Sequence, residues 1–185
     1  GDYDDPIESI RGFASEWLWM SDRVIDDGNT GFQRFYGPNW VYQNIGYDGD
    51  SWTVPASNDV ENSAHYAIWV PDLTDSSEYN IDVYTPNISD LTSAARYEII
   101  VKDTSGMNTK TMVVYNQNNN PDNFNTIATM NLPAGSNCAV ILRDVVDSSS
   151  TGSYVVFDAL RFVNTANVNI TNEQSQQVFP TDIIL

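Results

Sequence analysis

Two groups of residues have the types and spacing to do chemistry. The first is acidic: Asp26-Asp27-Gly28 closes the apolar pair Val24-Ile25, and Asp158 interrupts the apolar run Val155-Val156-Phe157-Asp158-Ala159-Leu160. Burying an unpaired carboxylate costs several kcal/mol, so Asp158 needs a partner. Arg161 or Arg143, backbone donors at a turn, or a cation would serve. Carboxylate oxygens are the ligands that hard cations such as Ca²⁺ take, so Asp158 is read as either a hydrogen-bonded structural aspartate or a metal ligand. The second group is aromatic. Phe35, Tyr36, Trp40, Tyr42, Tyr47 and Trp52 are scattered among Gly37, Asn39, Asn44, Gly46, Asp48, Gly49 and Asp50. Ring faces stack on sugar rings while Asn and Asp bond the hydroxyls, so Tyr36, Trp40, Tyr42, Tyr47, Asp50 and Trp52 are candidate glycan contacts. The competing reading is that these rings fill the end of a folded core.

Other chemistries find little material. The single histidine, His65, lies in a strand-like alternation with no serine or cysteine in a nucleophile-elbow context, so a hydrogen-bonded or solvent-facing role is expected. Cys138 and His65 are together too few for a structural zinc site, and one cysteine allows no intrachain disulfide. The glycine-containing stretches lack the P-loop and dinucleotide fingerprints. Glycoside hydrolysis by two carboxylates stays open as an alternative, because only the fold sets their separation. With 25 acidic against 8 basic residues, the formal charge of −17 repels phosphate backbones and anionic headgroups. Nucleic acid is therefore not an expected partner, and no apolar run is long enough to insert in a membrane.

These side chains must be positioned by sheet. Segments of alternating or β-branched residues run from Ala64 to Val70, Tyr79 to Tyr84, Ala95 to Val101, Thr109 to Tyr115, Asn125 to Leu132, Cys138 to Arg143 and Tyr154 to Val163. Turn sequences such as Asp103-Thr104-Ser105-Gly106 and Leu132-Pro133-Ala134-Gly135 separate them. Before them, Ile10, Phe13, Ala14, Trp17 and Leu18 follow helical spacing after a Ser9 cap. The expected fold is all-β, a jelly-roll-like antiparallel β-sandwich with a short N-terminal helix. Residues 1–23 form an extension, 24–163 the sandwich module, and 164–185 a polar extension or last strand.

Read in order, several short motifs resemble one family. They are Val24-Ile25-Asp26-Asp27-Gly28-Asn29-Thr30-Gly31-Phe32, Gly37-Pro38-Asn39-Trp40, and Gly46-Tyr47-Asp48-Gly49-Asp50. Ala64 to Pro71, Glu78 to Tyr84, Ala95 to Ile99, Val114 to Asn118, Leu132 to Gly135 and Val155 to Phe162 continue the series. Together they resemble the golvesin C-terminal-like, or xanthan-lyase carbohydrate-binding-like, domain. Phe124 and Phe157 depart from its pattern, as changes of packing.

The resemblance implies a non-catalytic accessory module of a bacterial surface or secreted protein, fused to lyases, amidases or peptidases. A polysaccharide or cell-wall glycan and other domains of the same chain would be its partners. It brings no catalytic residues. More distant jelly-roll modules imply a structural calcium between Asp26 or Asp27 and Asp158. Extracytoplasmic placement is expected with it; Gly1 to Pro6 carries no signal peptide, and the leading Gly fits one already removed. A structural or adhesion sandwich without glycan binding, and a carboxylate-based carbohydrate-active enzyme, are the alternatives.

Overall fold

The computed structural model describes residues 22–35, 38–59, 63, 65–147 and 149–166. The expected N-terminal helix, most of the C-terminal extension, and Tyr36 lie outside the described residues. Twelve strands follow in chain order: β1 (Asp22–Ile25), β2 (Phe32–Arg34), β3 (Val41–Gln43), β4 (Ser51–Pro55), β5 (Tyr66–Trp69), β6 (Ser77–Thr85), β7 (Ala95–Lys102), β8 (Asn108–Tyr115), β9 (Asn123–Leu132), β10 (Cys138–Val146), β11 (Tyr154–Phe157) and β12 (Leu160–Asn164). A single 3₁₀ turn, Tyr47–Gly49, sits between β3 and β4.

The strands form antiparallel sheets. One has the order β1-β12-β6-β9, a second β2-β5-β10-β7-β8, and a third β11-β4-β3. Period-2 alternation explains how they close on one another, because each strand turns every second residue inward. Tyr79, Ile81 and Val83 of β6 and Leu160 and Phe162 of β12 meet Trp69, Tyr97, Ile99, Val140 and Leu142 of the five-stranded sheet in one buried cluster. Val54, Val155 and Phe157 join the cluster from the three-stranded sheet. Trp69, Phe157 and Phe162 are fully buried, and each such side chain contributes roughly 1.5–3 kcal/mol over leaving it exposed.

Two buried polar groups lock the sheets together. Gln117 donates to the Tyr97 hydroxyl (3.0 Å) and the Val156 carbonyl (2.8 Å), and accepts the Val156 N–H (3.0 Å). It replaces a missing strand neighbour for Val156, as buried backbone groups require. The Trp69 indole donates to the carbonyl of Asp158 (3.0 Å).

The segment from Tyr154 to Val163 reads as one strand in the sequence, but it is two. β11 ends at Phe157 and pairs with β4, whereas β12 starts at Leu160 and pairs with β1 and β6. The break falls at Asp158, whose carboxylate accepts the N–H of Ala159 (2.8 Å). A local side-chain bond of this kind competes with the ladder and lets the chain change sheets.

Candidate functional site

The turn after β1 gathers the acidic residues. The Asn29 side chain accepts the Asp26 N–H (3.1 Å), and the Asn29 N–H returns to the Asp26 carbonyl (3.0 Å), an Asx-type closure. Asp50 arrives from the other side, carried by the β3–β4 loop. One carboxylate oxygen from each of Asp26, Asp27 and Asp50 lies within 4.8 Å of the others. Asp26 is 6% exposed. Its Oδ1 and the Oδ2 of Asp27 are buried and find no hydrogen-bond partner among the described residues.

Three negative groups in a half-buried pocket should resist ionising. Burial raises Asp26 above the ordinary carboxylate range, with Asp50 and Asp48 adding to the effect. Burial together with Asp26 and Asp50 pushes Asp27 up to about 6. Burial also drives Asp158 up to about 9, opposed by the Tyr47 N–H and reinforced by Asp26 and Asp27.

Asp158 stands beside this trio and outside it. Both its oxygens accept the Tyr47 N–H (3.2 and 3.0 Å), and Oδ1 also accepts from Ala159. Asp158 lies close enough to Asp26 to hold the Asp26 pKa down against burial. Neither arginine named from the sequence meets it: Arg161 is paired with Asp82 (2.7 Å), and Arg143 lies over Tyr66. Asp158 therefore holds the β3–β4 loop in place through Tyr47, and Gly46 makes that approach feasible. A Cβ on Gly46 would stand 1.8 Å from the Asp50 carbonyl oxygen and 2.8 Å from Asp158 Oδ2.

The orphaned oxygens permit a test of the calcium reading. A hard divalent cation prefers oxygen donors, and the three carboxylates offer them without nitrogen or sulfur. The donor set fits Ca²⁺ at Asp26, Asp27 and Asp50. Asp50, named from the sequence as a candidate glycan contact, stands in this acidic trio.

The aromatic candidates divide into two groups. Arg34 joins the first: its guanidinium lies 3.3 Å from the Trp52 ring centre and 5.2 Å from that of Trp40. Tyr42 meets Trp52 edge-on, and the neighbouring Asp50 raises the pKa of its hydroxyl. Trp40 is an anchor, donating to the Phe35 carbonyl (3.0 Å) and packing edge-on against His65 and Phe157. Tyr47 belongs to a separate aromatic group with Tyr84 and Phe124, and Arg161 covers Phe124. Protein groups thus lie against Trp40 and Trp52; among the described candidate rings Tyr42, 49% exposed, is the most open to solvent.

His65 is buried and engaged at both ring nitrogens. Nδ1 meets Asp144 Oδ2 (2.8 Å) and Nε2 the Pro38 carbonyl, while Ser63 Oγ donates to Asp144 Oδ1 (2.6 Å). Serine, aspartate and histidine meet here, but the serine and the histidine both bind the aspartate. A nucleophile needs its own contact with the base.

The outer face of the five-stranded sheet carries a set of residues that the sequence reading passed over. Cross-strand pairing aligns Ile68, Ile141, Glu98 and Met112 in one row, and Tyr66 with Arg143 in the next. Phe35 stacks on Tyr66 (4.3 Å, 12°). Ser63, Arg96, Glu98, Lys110, Met112, Arg143 and Val145 line a depression between β7, β8 and β10. Met112 and Val114 are 43% and 56% exposed.

An antiparallel sandwich with this loop-borne acidic corner defines the class. The chain belongs to the golvesin C-terminal domain family, whose model matches residues 23–164. Among solved structures it is similar to Paenibacillus xanthan lyase, with a TM-score of 0.62 at 19% identity over 79% of this chain and 13% of that chain. It is also similar to a family 35 carbohydrate binding module from Clostridium thermocellum, with a TM-score of 0.46 at 13% identity over 76% of this chain and 98% of that one. The xanthan lyase likeness concerns the fold. The chain spans only 13% of the xanthan lyase chain. No curated protein matches it.

Proposed function

We propose that this domain is a non-catalytic, extracytoplasmic carbohydrate-binding module, and that the outer face of its five-stranded sheet is the glycan platform. The observation that carries the reading is the composition of that face. Exposed Met112 and Val114, half-buried Ile68 and the Phe35–Tyr66 stack lie beside hydrogen-bonding cations. Apolar surface with a few convergent polar groups suits sugar rings, whose faces are apolar and whose edges are hydroxylated. The xanthan lyase likeness, covering 13% of a far longer chain, supports an accessory role within a larger polysaccharide-active protein. Retention on insoluble polysaccharides and affinity electrophoresis test it. Retention lost in M112D and V114D, with the melting temperature unchanged, is the expected result. Absence of retention on every plant and microbial glycan, or retention insensitive to both variants, overturns it. Reducing ends released from those glycans would overturn the non-catalytic part, and cell fractionation of the native host tests the compartment.

We further propose that Asp26, Asp27 and Asp50 hold a structural Ca²⁺. The buried, unpartnered oxygens of Asp26 and Asp27 support it, because a bound cation would satisfy them and remove the mutual repulsion. The ion would pin the turn after β1 to the β3–β4 loop. Calorimetry with Ca²⁺ should show binding heat that D27N abolishes; no heat, with an EGTA-insensitive melting temperature, would remove the site.

A further inference from the structure

We infer that the depression between β7, β8 and β10 is a subsite for an acidic sugar bearing a carboxylate; the inference rests on the glycan-binding reading of this face. The starting point is a contrast of charge. The chain has 8 basic residues in all, and three of them, Arg96, Lys110 and Arg143, line this one depression. They come from three different strands, β7, β8 and β10, which the sheet order places side by side. The single acidic residue in the lining, Glu98, is 7% exposed and pairs with Lys110 at 2.7 Å. Three cations and one anion leave a local charge of +2 on a chain whose formal charge is −17.

The two arginines are the open groups. Among the described residues neither Arg96 nor Arg143 has a carboxylate within 4.0 Å, although Asp147 lies close enough to feel Arg96. The Arg143 guanidinium is steadied over the Tyr66 ring at 4.9 Å, a cation–π contact that leaves its N–H edges to bond elsewhere. A guanidinium presents a planar fork of donors that matches a carboxylate in bidentate fashion. Glu98 with Lys110 forms the floor, and Met112 and Val145 supply apolar walls for a pyranose ring.

The acidity of the rest of the molecule narrows the ligand class. A densely charged polyphosphate would be repelled beyond these three cations, since a duplex carries about one charge per 1.7 Å of axis. A polysaccharide places its carboxylates one sugar or more apart. One such group can enter the island while hydroxylated rings cross the neighbouring apolar surface.

The test compares polygalacturonate and alginate with their carboxyl-reduced counterparts by affinity electrophoresis. The acidic polymers should be retained about tenfold more strongly, with the preference lost at high salt. The double variant R96Q/R143Q should bring acidic and reduced polymers to equal retention, with the melting temperature unchanged. Equal retention of both forms by the native protein, or a preference that survives the double variant, overturns the acidic subsite and leaves the glycan reading standing. No retention of any acidic or neutral glycan overturns both. Should the double variant unfold, the reduced-polymer and salt comparisons on the native protein decide alone.

Discussion

The two large sheets share one core and differ on their outer faces. On the four-stranded sheet the polar side chains satisfy one another. Arg161 forks onto Asp82 (3.0 and 2.7 Å), Thr126 donates to the other Asp82 oxygen (2.7 Å), and Thr129 donates to Asn80 (2.8 Å). On the five-stranded sheet, Arg96 and Arg143 have no such carboxylate among the described residues and Met112 and Val114 stand in water. A face whose hydrogen bonds close among its own strands has little left for a ligand. A face that leaves donors and apolar atoms open carries the features of a recognition surface.

That contrast can be broken experimentally, and the largest effect belongs to the self-satisfied face. D82A leaves Arg161 without its carboxylate and should cost about 3 kcal/mol in urea unfolding. R143Q, on the opposite face, should stay within about 0.5 kcal/mol of the parent. Comparable losses in the two variants would erase the distinction.

The calcium proposed for the acidic corner would touch neither face. At a hundredfold excess over Kd it should add about 2.7 kcal/mol to the parent, detected as a higher melting temperature, and nothing to D27N.

The core beneath both faces has its own signature. Burial raises the Cys138 thiol from 9.0 to about 12, so the neutral thiol is favoured in the fold. Its contribution is complete below the unfolded pKa and is lost as pH rises from about 9 towards 12. One pH unit above the usual value this amounts to about 1.4 kcal/mol of unfolding free energy, which C138A should abolish from the pH profile. The same thiol should resist disulfide reagents until the protein unfolds. The smallest effects again separate the faces: T129V should cost about 0.5–1 kcal/mol by leaving Asn80 short of a donor, and V114S should be nearly neutral in stability.

Much of the sheet architecture was legible in the chain. β6 to β10 declare themselves by alternation, and Asp158 is visible as a carboxylate set in an apolar run. The change of sheet at Asp158 was not legible, because strand formers flank Asp158 on both sides and the strands they pair with, β4 and β6, are distant in sequence. β2, β3 and β4 were likewise hidden among the glycines and rings of a segment read as a candidate glycan surface. In that segment composition suggested stacking platforms, but it could not show that Arg34 lies over Trp52 or that His65 packs against Trp40.

The sequence by itself determined that this is an acidic, strand-built chain with an aspartate pair after its first described strand, since period-2 patterning and side-chain type are local properties. Only the tertiary structure decided which groups become neighbours. Asp50 joins Asp26 and Asp27, and Arg96, Lys110 and Arg143 meet from three strands. Adjacency across a sheet is set by the path of the chain between strands, and the alternation within a strand is indifferent to it.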